Sequence, residues 1–418
     1  MKKTAFGLFV LLCAACLSLS GCSKGGSGDS KRKVNLTMYS WRTEDQKGYE
    51  KIIAEFEKKH PNIHVVFKPF KSTDYNTILS NALVSGSGPD IIQLRSYNKD
   101  IPDNGYLVPL DDLPGMDHIS DFYKDAAKGS DGKVYGVPLA LDNTVIFYNT
   151  QIFKKLGLAE PETWEEFIEA CKTLKKNGFI PIAQAGRDAY LLSLAHSVLG
   201  VTAYGGNDFV DKVTKGDTNF SDEGFADSVK RMKDLASYFP KDFLGINDDD
   251  AQSLFYSGKA AMYINGSYRL SEFHDQAPDL PIGVIPALAL KEGGEAPVTT
   301  WVDSSYALVK KSKHVKEAKT FLAFMASKKF GDAFTNQFDW ASAIDGVRPD
   351  KPLVKKIAAA TAKAKTPYLM LVHFSKGSPS TKTTFENALQ GMYAGKLSIK
   401  QVLEETQKAA DKASKAKE

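Results

Sequence analysis

The chain has 418 residues, of which 25% are charged, and a formal net charge of +4. A single hydrophobic core stops growing near ~250–300 residues, so at least two packed units are expected. A charge this evenly balanced gives no support for nucleic acid as the partner.

Lys2 and Lys3 precede an apolar stretch from Phe6 to Leu17 and then Leu19-Ser20-Gly21-Cys22, the layout of a secretory signal peptide over residues 1–21. The apolar part is shorter than the ~20 residues of a membrane-spanning helix. The small residues before Cys22 resemble a bacterial lipobox, which implies cleavage there and lipid on the Cys22 sulfur. An ordinary signal peptide with an incidental cysteine is the plainer alternative. Losing the two lysines lowers +4 to +2, and Cys13 and Cys16 leave with them. Cys171 then has no partner and reads as a small buried hydrophobe. Residues 22–33, ending "SKGGSGDSKRK", are polar and small and form a flexible tether.

"VNLTMYS" (34–40) alternates like a half-buried strand. In the helix that follows, Thr43 and Gln46 make a capping box, Tyr49, Ile52, Ile53 and Phe56 share a face, and Pro61 is the stop. "IHVVFK" (63–68) is a second strand, a polar helix covers about 73–84, and 90–94 is a third strand. Strand, helix, strand predicts a parallel sheet whose strand ends hold any ligand. "GVPLALDNTVIFYN" (136–149) is an apolar run broken by Asp142 and Asn143. After it come a short helix at 151–156, a helix capped by Thr163 and Glu166, a strand at 180–186, and helices near 189–200, 222–238 and 249–257. Further strands are expected at 259–266 and 280–288, and one across "TTWVDSSYALVKKS". A helix at 314–327 and a helical tail complete the chain.

Most chemical signatures fail. His60 and His64 have helical zinc-pair spacing, but Pro61 lies between them and HExxH is absent, so no metal is expected. "NDDDAQSLF" lacks the glycine and terminal glutamate of an EF-hand and reads as acidic residues at a helix N-terminus. "GSGPDI" and "GMYAGK" miss the dinucleotide and P-loop patterns, and no cofactor is expected. What recurs is aromatic residues beside short polar ones at punctuated loops: Trp41, Arg187-Asp188 with Tyr190, Gly266-Ser267-Tyr268, Trp301 with Asp303, and Trp340. A pyranose suits such places, because its C–H face stacks on a ring while its hydroxyls take charge-assisted bonds.

"GSGPDIIQL", "GKVYGVPLALDNTVIFYNTQIFKKLGL", "PETWEEF", "GKAAMYINGSY" and "HVKEAKTFLAFMAS" together resemble the extracellular solute-binding proteins of carbohydrate ABC importers. The resemblance implies an α/β fold of two lobes around a ligand cleft, with 34–141 plus 298–325 in one and 142–297 plus 326–418 in the other. It implies a non-enzymatic monomer, lipid-anchored on the outer face of a bacterial membrane. That monomer closes on a sugar, expected to be an oligosaccharide, and hands it to membrane permease subunits. Asp142 falls where the first crossover presents an acid to sugar hydroxyls, and Tyr268 and Tyr190 fall at or near stacking positions. Where the maltose-binding member has Trp and then Asp-Arg, this chain has Leu94, Arg95, Ser96, Tyr97 and Asn98, so maltose is not expected. The expected ligand-binding set is Trp41, Arg95, Asp142, Asn143, Arg187, Asp188, Tyr190, Gly266, Ser267, Tyr268, Trp301, Asp303 and Trp340. A surface glycoside hydrolase and a binding protein for a non-sugar solute are the competing readings.

Overall fold

The computed structural model describes residues 33–415; the expected signal peptide, Cys22 and nearly all of the tether lie outside the described residues. Within them no helix is long and apolar enough to cross a membrane. The strands, in chain order, are β1 (Val34–Ser40), β2 (Ile63–Pro69), β3 (Ile91–Arg95), β4 (Val137–Pro138), β5 (Ala140–Asn149), β6 (Ile180–Ile182), β7 (Ala260–Gly266), β8 (Ile282–Ile285), β9 (Val298–Val302), β10 (Ser304–Leu308), β11 (Ala341–Ser342) and β12 (Lys365–Pro367). They make two sheets.

The first sheet has the order β2-β1-β3-β10-β4, with β1, β2 and β3 parallel and β10 antiparallel to β3. Leu36, Met38 and Ser40 are buried on alternate positions of β1, as its pattern predicts. The helix Gln46–Lys59 covers one face, burying Tyr49, Ile52, Ile53 and Phe56. Tyr49 stacks on Phe67 with ring centroids 4.7 Å apart. The expected Thr43/Gln46 capping box does not form, because the helix starts at Gln46 itself, and Asp45 at its N-cap is drawn toward Arg42, 3.7 Å away.

The second sheet runs β12-β9-β5-β7-β6, with β8 and β11 also on β5. Its helix Trp164–Lys176 carries the expected capping box: Thr163 Oγ1 accepts from the Glu166 amide, and Glu166 accepts in return from Thr163. A second box, Asn247 with Asp250, opens the helix Asp248–Tyr256. Cys171 is free and buried.

Two expectations about the chain path change. "TTWVDSSYALVKKS" is not one strand. It splits at Asp303 into β9, paired with β5 and β12 in the second sheet, and β10, paired with β3 and β4 in the first. The helix Lys328–Phe338, expected with the second unit, instead lays Phe338 against Tyr49, with centroids 5.2 Å apart. Its aromatic face needs that partner.

The chain therefore passes between sheets at Leu139, back at Asp303, and again after Phe338. These passages lie side by side. The Asp303 amide donates to the Ala140 carbonyl at 3.0 Å, Leu139 donates to Ser304 at 3.4 Å, and Ala343 donates to Leu139 at 2.9 Å.

His196, in the helix Tyr190–Leu199, is packed by Tyr204, Phe225 and Phe385, and its Nε2 lies 2.8 Å from Ser228 Oγ. Burial lowers its pKa to about 3, so it is neutral in the fold and protonates only when the chain unfolds. The unfolded state binds the extra proton, so stability falls as pH drops below ~6.5. Acidification from pH 7 to pH 5 is expected to remove about 2 kcal/mol through this group alone. Denaturant unfolding of wild type and His196→Asn at the two pH values checks it: the gap between them should narrow by that amount on acidification.

Candidate ligand-binding cleft

Parallel strands deliver their C-terminal ends to one edge of the first sheet, and β1 ends there at Ser40. Ser40 Oγ donates to Gln93 Oε1 at 2.6 Å, and Gln93 Nε2 donates to Ser304 Oγ at 2.8 Å. These bonds fix where Trp41 and Arg42 emerge. Trp41 is buried, 5.3 Å from the Tyr75 ring, with the Arg95 guanidinium 4.4 Å above its face. Arg42 meets Glu44 at 3.1 Å, Asp303 at 3.5 Å and Asp45 at 3.7 Å, and lies 4.0 Å from the centroid of the Trp340 ring.

Across from it, β5 and β9 place Asp142 directly opposite Trp301, hence on the same sheet face. Asp142 is 1% exposed. Ser267 Oγ donates to its Oδ1 at 3.3 Å, and the Tyr268 amide also donates to this carboxylate. Trp301 meets Tyr368 edge to face at 5.5 Å.

Asn143 points the other way along the strand. Its Nδ2 donates to Thr300 Oγ1 at 2.8 Å and Thr361 Oγ1 at 3.1 Å, tying β5 to β9 and to the helix Pro352–Lys363.

The second wall is the end of β7. The Tyr268 hydroxyl donates to Asn265 Oδ1 at 2.6 Å, and its ring lies against Gly266, where a Cβ would come within 2.1 Å of Tyr268 Cε1. Asp248, buried behind it, accepts from Tyr263 at 2.6 Å and Asn265 at 2.9 Å and pairs with Arg269. Tyr190, 41% exposed, reaches the same carboxylate at 3.5 Å. Asp188 is half-buried beside it. Arg187 is exposed, and its backbone makes its hydrogen bonds, to Ile246 and Gln390.

The expected residues Trp41, Arg95, Asp142, Ser267, Tyr268, Trp301, Asp303 and Trp340 thus converge, Tyr190 and Asp188 sit on the rim, Gly266 makes room for Tyr268, and Arg187 stands apart. Sequence reasoning missed Arg42, Asp45 and Asp248. Arg42 had a signal, since it adjoins Trp41 at a strand end. Asp248 was read only as a helix-terminal charge.

Charge is concentrated on the floor. Burial works against the Arg42 cation, but Asp303, Asp45, Asp142 and Glu44 raise its pKa overall. Burial pushes Asp45 up to about 7, with Arg42 opposing and Glu44 and Asp303 adding to the rise. Burial, then Asp303, holds Asp142 well above the carboxylate range despite Arg42. Arg42 Nε, Trp340 Nε1, Asp142 Oδ2 and Asp303 Oδ2 are buried without a hydrogen-bond partner among the described residues. Leaving such an atom wholly unmatched costs about 1–3 kcal/mol, and less for Arg42 Nε and Asp303 Oδ2, which keep ion-pair contacts at 3.7 and 3.5 Å. Two donors and two acceptors beside aromatic faces match a polyhydroxylated ring.

A pair of α/β sheets joined by adjacent crossings, with this floor between them, defines a two-lobe solute-binding protein. The chain belongs to the bacterial extracellular solute-binding protein family, whose model matches residues 39–331. It is 30% identical to the multiple sugar-binding protein of Streptococcus mutans over 82% of this chain and 84% of the relative. It is 27% identical to the melibiose/raffinose/stachyose-binding protein MelE of Bacillus subtilis, covering 84% and 83%. Among solved structures, a chitin oligosaccharide binding protein superposes with a TM-score of 0.73 at 26% identity, over 91% of this chain and 99% of that one. RafE in complex with raffinose shares the fold at 0.74 and 22% identity, over 90% and 98%.

The Gly266–Tyr268 contact is expected to be indispensable. Gly266→Ala should cost about 1–3 kcal/mol by forcing the ring aside. In a Tyr268→Ala background the same change should cost little. A double-mutant cycle in denaturant measures the difference.

Proposed function

We propose that the chain captures a sugar, an oligosaccharide, between its lobes for an ABC importer and delivers it to membrane permease subunits. The observation that carries this reading is the set of four buried polar atoms without a hydrogen bond among the described residues, Trp340 Nε1 and Asp142 Oδ2 with no partner and Arg42 Nε and Asp303 Oδ2 with only long ion-pair contacts, lying among Trp41, Trp301 and Tyr268 at the crossing between sheets. The named relatives bind sugars and oligosaccharides and are binding proteins, which supports capture without chemistry. Trp41, Arg95, Asp142, Ser267, Tyr268, Trp301, Asp303 and Trp340 form the contact surface, joined by Arg42, with Tyr190 and Asp188 at its rim. Asn143 and Gly266 serve it from behind.

One lobe comprises 34–138 and 304–338, the other 140–302 and 341–415, divided where the strands change sheet. Ligand bridging Arg42 on one side and Asp142 and Tyr268 on the other favours the closed arrangement, because only there are both sets of groups in reach. The protein works as a monomer on the outer face of the membrane, held by lipid on Cys22 through the tether. The family and the small residues before Cys22 support that placement.

Thermal-shift and calorimetric titration with melibiose, raffinose, stachyose and arabino-, galacto- and chito-oligosaccharides tests the reading. Micromolar binding, about −8 kcal/mol, of at least one intact sugar is expected. Asp142→Ala should weaken it by about a hundredfold or more, since a ligand hydroxyl loses the free Oδ2 acceptor and the Ser267 hydroxyl loses Oδ1, with the fold retained. Product formation, or no response to any sugar, would sink the reading. Separately, Cys22→Ser should move the protein from the membrane fraction to the soluble fraction and abolish palmitate labelling; unchanged fractionation and labelling would remove the anchor.

A further inference from the structure

The chain enters the first sheet at the pole away from the cleft. Val34 opens β1 by donating its amide to the Asn62 carbonyl at 2.8 Å, and Ser40 closes the strand on the cleft side about 20 Å further on. His60, two residues before Asn62, ends the helix Gln46–Lys59 and lines a cavity of 650 Å3. The segment that precedes Val34 is thus joined to the fold beside this cavity.

The cavity is apolar within and basic where it meets solvent. Phe56 and Phe324, with ring centroids 5.3 Å apart, line it together with Leu110 and Leu113. Lys59, Lys319 and Lys329 line it too; all three are exposed, and none has an ion-pair partner among the described residues. Asp112 is the one carboxylate lining it among the described residues, so positive charge is in surplus. Nearby Glu55 is bonded to Lys58, and Lys329 and Lys59 act on it only from beyond ion-pair distance. Neither the Asp112 carboxylate nor the His60 ring, which stacks on Phe56 at 4.5 Å, makes a side-chain hydrogen bond among the described residues, and both are open to hydroxyl groups. Lys31, Arg32 and Lys33 come directly before Val34 in the sequence and carry the same sign of charge.

We propose that this pole of the first sheet docks on an anionic bilayer, the lipid phosphates meeting Lys59, Lys319 and Lys329 and the hydroxylated end of a headgroup entering the cavity toward Asp112 and His60. A phosphoglycerol headgroup stands out from the bilayer with its phosphate nearer the hydrocarbon and its polyol outermost, so the polyol reaches the recess while the phosphate stays at the rim. Each Lys or Arg near an anionic surface adds to the attraction. The contact needs no lipid on Cys22, and it lifts the cleft clear of the bilayer by the height of the first sheet. It goes beyond sugar capture and lipid anchoring, and is tested without either.

Residues 23–418, which keep every described residue and lack Cys22, are sedimented with vesicles of phosphatidylcholine alone or mixed equally with phosphatidylglycerol. Binding to the mixed vesicles alone is expected, weakening by about tenfold or more when salt is raised to about 0.5 M. Lys319→Gln with Lys329→Gln should lower the partition coefficient by about tenfold or more. Lys408→Gln with Lys412→Gln, on the exposed side of the helix Ile399–Lys415, should change it by less than about twofold. All four lysines are exposed, and unchanged melting temperatures report that the fold is kept. No binding to the mixed vesicles, equal binding to both kinds, or equal losses from the two pairs of substitutions overturns the docking pole. So does release by inorganic phosphate but not by sodium chloride of the same ionic strength, which would make the cavity a site for free anion. None of these results bears on sugar capture or on Cys22, which calorimetry and palmitate labelling read separately.

Discussion

The cleft depends on one short piece of backbone pairing, the bond from the Asp303 amide to the Ala140 carbonyl at 3.0 Å, with Leu139 to Ser304 and Ala343 to Leu139 beside it. Three passages between sheets are held there in extended form. Extended segments can absorb a rotation through small changes at a few residues, so the sheets turn relative to each other without either ladder breaking. The side chains displayed at the same place are Asp142, two residues past Ala140, Asp303 itself, and Trp340 just before β11. On the proposed reading, recognition and pivot share residues. A ligand that engages these groups acts directly on the equilibrium between arrangements, because its contacts exist in full in only one of them.

The electrostatics of the floor follow from crowding. Asp45, Asp142 and Asp303 surround Arg42, and burial makes charge expensive there, so Asp45 and Asp142 shift toward protonation while the cation holds its proton. Removing Arg42 from this group would strip Asp45 and Asp142 of their counter-charge, and removing an acid would weaken the field that holds the guanidinium. A hydroxyl-rich neutral ligand resolves the mismatch without adding charge, since each hydroxyl can donate to a carboxylate or accept from Arg42 Nε or Trp340 Nε1. An anionic ligand would add to the surplus of acid.

Much of this was legible in the sequence, and the exceptions have physical causes. The strand at 34–40, the aromatic face of the following helix, the Thr163/Glu166 box and the break at Asp142 and Asn143 rest on local periodicity and capping, which the chain displays directly. Asp303 was picked out as a site residue, yet the run around it was read as one strand. A single extended residue changing sheets leaves no trace in hydrophobic pattern, since both sides are apolar and fully buried. Asn143 was expected to face ligand as Asp142 does, but successive residues on a strand point to opposite faces. Its amide went to Thr300 and Thr361, which are 157 and 218 positions away. Arg42 escaped notice because its role is defined by three acids, one of them from a distant strand junction.

The two sides of the cleft solve different problems. On the β7 side most polar atoms near the Tyr268 ring are bonded, Arg269 Nε being an exception: the hydroxyl holds Asn265, Asn265 holds Asp248 and the Gly266 amide, and Asp248 gathers Tyr263, Arg269 and Tyr190. Such a network fixes the ring before ligand arrives, so little entropy is lost on stacking. The floor is the reverse, with donors and acceptors buried and unmatched, and its free energy improves only when a ligand of matching pattern enters. A fixed aromatic wall binds any flat C–H face and so discriminates weakly. On the proposed reading the floor would discriminate strongly, because a ligand lacking a hydroxyl at the right position leaves a buried polar atom as costly as before. Affinity from the wall and selectivity from the floor can therefore vary independently among proteins that share this fold.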